Sequence, residues 1–150
     1  MEQLSELLML QLENGGRAQL RVTGWSMMPL LYNCRDTVEL IPVSQQQKAG
    51  DIILYRRENG KYVLHRIIAV TEDGYICCGD NQAEREAVRH AQLLAVVDGF
   101  IRNGKRYTMD EIGYRLYTAA WVKLFPVRKY YIAIRRRLGG MRHNSKNNGR

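Results

Sequence analysis

Histidine and cysteine are scarce in this chain, three of each in 150 residues, and their scatter closes off most metal chemistry. His65, His90 and His143 form no close pair, and Cys34, Cys77 and Cys78 follow no zinc-ligand spacing. No metal and no cofactor is therefore expected, and no glycine-rich loop carries a lysine that could cradle a phosphate. An odd cysteine count with two neighbours in sequence makes a poor disulfide framework, so reduced, packed thiols are expected. Long apolar runs are missing as well. Nothing approaches the roughly 18 to 20 residues that cross a bilayer, and no cleavable signal sequence is visible. The expectation is a protein in the cytoplasm or peripheral to the cytoplasmic membrane.

Acidic residues run out toward the end of the chain. Residues 121–150 hold nine Lys and Arg and no Asp or Glu, whereas residues 1–120 hold 14 against 15. The net charge of +8 thus belongs to the last fifth of the sequence. That distribution argues against a nucleic-acid-binding body and for a basic appendage. Within the appendage Val127, Tyr130, Tyr131, Ile134 and Leu138 recur at helical spacing after Pro126, with Arg128, Lys129 and Arg135 to Arg137 on the flanks. This predicts a basic amphipathic helix over 127–138 that attaches to an anionic membrane surface or, alternatively, packs on the body. Residues 114–125 are more uniformly apolar and predict a helix that ends at Pro126. The composition of 142–150 is that of a disordered tail. The expected organisation is a body over 1–112, a helical basic appendage over 113–140 and a tail over 141–150.

The body reads as mainly β. Strand-like segments at 17–23, 37–43, 52–56 and 75–78 are punctuated by Asn59-Gly60, Asp73-Gly74 and Asn103-Gly104, each a hairpin signal. A two-residue turn at Asn59-Gly60 sets Arg57 opposite Tyr62, Tyr55 opposite Leu64 and Leu54 opposite His65. Residues 5–13, with Leu7, Leu8 and Leu12 at helical spacing before Gly15-Gly16, predict a short N-terminal helix.

Two positions in this body suggest chemistry. Thr23-Gly24-Trp25-Ser26-Met27-Met28-Pro29 presents a single serine in a glycine- and proline-framed turn just after a strand. A serine hydroxyl is inert until a base takes its proton. His65 is the candidate, since its strand neighbours Val63 and Ile67 lower the local polarity and favour the neutral imidazole that a base needs.

Gly24-Trp25-Ser26-Met27-Met28-Pro29, Gly50-Asp51-Ile52, His65-Arg66-Ile67 and Gly79-Asp80-Asn81 form an ordered set over residues 18–102. In order and separation the set resembles the signal peptidase I family, in the Ser/His branch found in archaea, sporulating bacteria and the endoplasmic reticulum. The resemblance implies coiled antiparallel β-sheets of the signal peptidase/LexA-like type and a serine endopeptidase that cuts a leader or signal segment from a peptide or preprotein. It implies Ser26 as nucleophile, His65 as general base and Asp80, or alternatively Glu86, as the acid that orients the histidine. The backbone N–H of Ser26 would serve the oxyanion hole, with Gly24 standing where some members carry a helping serine. It also implies an apolar groove for an extended peptide with small residues before the cut. Members usually carry a membrane anchor; a chain without one fits a small dedicated substrate, processed beside an exporter. Two other readings stay open: a LexA-type self-cleaving regulator, whose lysine base would have to be Lys61, and a non-catalytic peptide-binding or membrane-docking module.

Overall fold

The computed structural model describes residues 2–128 and 130–134. The chain forms a mainly antiparallel β body with a helix at its start and helices at its end. In order it runs α1 (Glu2–Glu13), β1 (Ala18–Arg21), β2 (Asp36–Ile41), β3 (Ile52–Arg56), β4 (Tyr62–Val70), β5 (Gly74–Cys78), β6 (Glu86–Arg89), a 3-10 turn (His90–Gln92), β7 (Leu93–Arg102), β8 (Lys105–Thr108) and α2 (Ile112–Lys123). A further helical stretch covers 125–128 and 130–134, and the expected tail over 141–150 lies outside the described residues.

The sheet order is β1-β2-β7-β3-β4-β5-β6, with β8 also on β7. Strand β7 is the spine. Val96 pairs with both Ile41 of β2 and Ile53 of β3, and Gly99 to Arg102 pair with both β2 and β8. A strand has two edges, so β3 and β8 take one edge of β7 in succession while β2 holds the other. Bulges at Glu39/Leu40, Leu54/Tyr55 and Ile67/Ala69 bend the sheet.

Strand β3 explains why its sequence is a near-continuous apolar run. Ile52 and Leu54 enter one core with Leu8 and Leu12 of α1, Met27, Leu31, Val38 and Phe100; Ile53 and Tyr55 enter a second with Ile67, Tyr75, Cys77 and Val88. Both faces of this strand are covered, so neither can be polar. In α1, Leu8 and Leu12 are buried while Leu7 faces out. The helix ends at Gly15, which adopts the left-handed backbone that favours glycine.

The β3–β4 hairpin corrects the expected register by one residue. The observed pairs are Arg56 with Tyr62, Tyr55 with Val63, Leu54 with Leu64 and Ile53 with His65. Arg57 N–H donates to the Lys61 carbonyl and Gly60 N–H to the Arg57 carbonyl, so the loop has three residues, with Gly60 at positive φ. A type I turn closed by a left-handed glycine replaces the two-residue turn, and Asn59 instead accepts from the Lys61 amide through its side chain. By contrast Asn103 and Gly104 both have positive φ and form a two-residue turn between β7 and β8.

At the C-terminal end the chain breaks at Leu124 and resumes as helix, with Pro126 in the opening turn, where a missing N–H costs nothing. Phe125, Arg128 and Ile132 are buried there. Val127, Tyr130, Tyr131 and Ile134 of the expected apolar stripe are exposed, while its Leu138 and the flanking Lys129 and Arg135 to Arg137 lie outside the described residues. The buried face is thus the one holding Arg128, a residue expected on the solvated flank.

Candidate active site

Ser26 sits in the loop between β1 and β2, and two anchors shape that loop from within. Met27 and Leu31 are buried in the α1-side core, and Leu31 N–H donates to the Met27 carbonyl. Gly24 takes a positive φ, and its N–H donates to Asn33 Oδ1 at 2.9 Å. That amide is therefore spent on the loop. The Met28–Pro29 peptide is cis.

A third anchor comes from the Gly79-Asp80-Asn81 turn. The Asn81 amide donates to the Ser26 carbonyl at 2.7 Å, and the Asn81 side chain donates to the Trp25 carbonyl at 3.2 Å. Gly79 lies so close that a Cβ there would fall 2.6 Å from the Ser26 carbonyl oxygen and 3.0 Å from its Cβ. Glycine is required because only hydrogen fits. The motif thus grips the serine loop from behind.

Asp80, the first candidate to orient His65, is committed elsewhere. Its carboxylate accepts two 2.8 Å hydrogen bonds from the fully buried Arg66 guanidinium and one of 3.1 Å from the half-buried Tyr117. Arg66 also donates to the Gly50 carbonyl, Tyr114 and Thr118. Arg66 and Asp80 therefore join the Gly50-Asp51 and Gly79-Asp80-Asn81 turns to α2.

Glu86 reaches His65 through a residue that sequence reasoning missed. Tyr55 Oη lies 3.1 Å from His65 Nδ1 and donates to Glu86 Oε2 at 2.8 Å. Arg57 clasps the same carboxylate at 2.6 and 2.7 Å. The one-residue register correction makes this possible. Directly opposed residues share a sheet face, so Val63 brings Tyr55 to the face of His65, where the expected register would have turned it away. Ile67 pairs with Cys77 and Cys77 with Glu86, which puts the carboxylate on that face too. Glu86 is held in β6 opposite Cys77 of β5.

Charges fix the direction of the chain of hydrogen bonds. Arg57 and Tyr55 hold the Glu86 carboxyl below its ordinary range against the opposing effect of burial, so it is ionised and only accepts. Burial, then the bond to Glu86, push the Tyr55 phenol up, so it keeps its proton and donates the hydrogen bond to Glu86. The Tyr55 oxygen must then accept from His65 Nδ1–H. That tautomer leaves Nε2 free to take a proton. Burial drives the His65 pKa down to about 4, with the Glu86 charge pulling it up and Arg57 pulling it down. The imidazole is neutral at pH 7.

Ser26 and His65 line one cavity of about 380 Å³, together with Gly24, Arg57 and Gln82. Comparison with family models, with curated proteins and with solved structures gave no match. No group of residues among those described could hold a metal ion, and no helix among them is long and apolar enough to cross a membrane. Lys61 is exposed beside the β3–β4 loop. His90 is exposed and rests edge-on against Tyr75, and Cys34 is exposed, unlike the buried Cys77 and Cys78.

Proposed function

We propose that this chain is a serine endopeptidase resembling the Ser/His signal peptidases, with a signal peptidase/LexA-like fold, and that it removes a leader or signal segment from a peptide or preprotein. The observation that carries the reading is the hydrogen-bonded series His65, Tyr55, Glu86, Arg57 ending at the cavity that Ser26 also lines. In this reading His65 Nε2 takes the Ser26 proton as Oγ attacks the scissile carbonyl. The resulting imidazolium is stabilised by Glu86 through the Tyr55 hydroxyl, and the Ser26 N–H supports the oxyanion. His65 then hands the proton to the departing amine, and water releases the acyl group by the same path. The substrate strand would lie between residues 21–24 and 62–65, which both line the cavity, as an added β-strand.

The exposed Val127, Tyr130, Tyr131 and Ile134 support docking on an anionic membrane surface. The test of the catalytic reading is labelling with a fluorophosphonate probe together with cleavage of leader-bearing peptides. Native protein should react at Ser26 alone, and Ser26→Ala and His65→Ala should each lose cleavage without loss of fold. Cleavage that persists in Ser26→Ala overturns the reading.

A further inference from the structure

We propose, building on the peptidase reading above, that the substrate carries a large aliphatic side chain beside the scissile bond, instead of the small residues that the resemblance implies. The cavity next to Ser26 and His65, about 380 Å³, would take the backbone of the added strand and side chains projecting from it. Among its walls are Met9 of α1, Leu20 of β1, Tyr62 and Leu64 of β4 and Leu94 of β7. All five are only partly buried, each packed on the α1-side core by one flank. Five apolar side chains from four separate elements therefore converge on one space with their outer flanks still wet. A small side chain would leave that surface in contact with water, whereas a leucine-sized one would complete its burial.

The charge at the mouth selects among occupants. Arg21 lines the cavity and donates only to a backbone carbonyl, that of Cys34, which leaves its charge unneutralised there. A cationic rim disfavours the basic C-terminal sequence of this chain, or of a second copy, as the occupant. It suits a neutral or acidic extended peptide.

The test uses short alanine-rich peptides in which a single leucine is moved through the positions flanking the central bond. Binding is measured by fluorescence anisotropy with Ser26→Ala, and cleavage with the native chain. At one position leucine should tighten binding and raise kcat/KM by about tenfold or more over the all-alanine parent. Filling the cavity by Leu94→Phe or Leu20→Phe should abolish that preference. An all-alanine parent that binds and is cut as well as every leucine peptide, or the absence of binding by any of them, overturns the proposal. Leucine-dependent binding without cleavage by native protein upholds the groove and instead defeats the peptidase reading. Cleavage favouring alanine does the reverse.

Discussion

A tyrosine placed between an imidazole and a carboxylate transmits orientation at one hydroxyl's remove, and its phenolic proton sets the tautomer of the histidine beyond it. Under the proposed mechanism, Tyr55→Phe should keep the buried ring and lower kcat by about tenfold to a hundredfold, with KM little changed, because the loss would fall on general-base catalysis. Glu86→Gln should have a comparable effect, and the double variant should be no worse than the poorer single one, since the groups act in series. Asp80→Asn should act differently, lowering the melting temperature by unbalancing the buried Arg66 before it touches turnover. Steady-state kinetics beside thermal melts separate the two behaviours. A second consequence is a pH profile. His65 stays neutral until about pH 4, so the acid limb of kcat/KM should lie well below the 6.5 of an ordinary histidine. Stability has the same origin. Between about 6.5 and 4 the unfolded chain binds a proton that the folded chain refuses, so His65 makes stability fall as pH drops through that window and level off below it. Urea midpoints measured across this range check the sign.

At the scale of elements, the β1–β2 loop is held by Asp36 as much as by its own turns. This buried carboxylate accepts from Arg35, Arg102 and the Tyr32 amide, and Arg102 also reaches the Leu30 carbonyl. Burial opposes its ionisation, yet these donors hold it at about 2. The stability it lends is present above the usual aspartate range and lost as pH falls through 2. Asp36→Asn should cost about 1.5 to 3 kcal/mol in urea unfolding and loosen the serine loop. The Asn103-Gly104 turn and the mainly antiparallel class were readable in the sequence, because glycine and asparagine act locally; the hairpin near Asp73-Gly74 was readable too, but its turn falls one residue earlier, since Gly74 already belongs to β5 and accepts from the Thr71 amide. What escaped were choices made by tertiary contact. Nothing in Asn59-Gly60 distinguishes a two-residue turn from a three-residue one, and that single step hid Tyr55. The four residues of β6 bury only Val88, too short an alternation to read as a strand.

For the whole molecule, the C-terminal helix is part of the site's support. Arg128 donates to the carbonyls of Gly79 and Gln82 and to Cys78 Sγ, and Trp121 donates to the Asp80 carbonyl. These contacts back the turn that seats Ser26. Arg128→Met should therefore reduce turnover and thermal stability together, whereas Tyr130→Ser with Ile134→Ser should leave hydrolysis of a soluble peptide unchanged and weaken sedimentation with anionic vesicles. Equal vesicle binding by that double variant would remove the membrane role. The sequence showed the basic character of this segment but not its orientation, because a cation is read as solvated unless a partner in another element, here backbone carbonyls, is known. The same contacts have a temporal meaning. Synthesis proceeds from the N-terminus, so Ser26, Tyr55, His65 and Glu86 leave the ribosome well before the arginine that secures the turn behind the serine. On the proposed peptidase reading, a nascent chain holds these four residues unsupported until residue 128 has emerged, and cannot cut its neighbours before then.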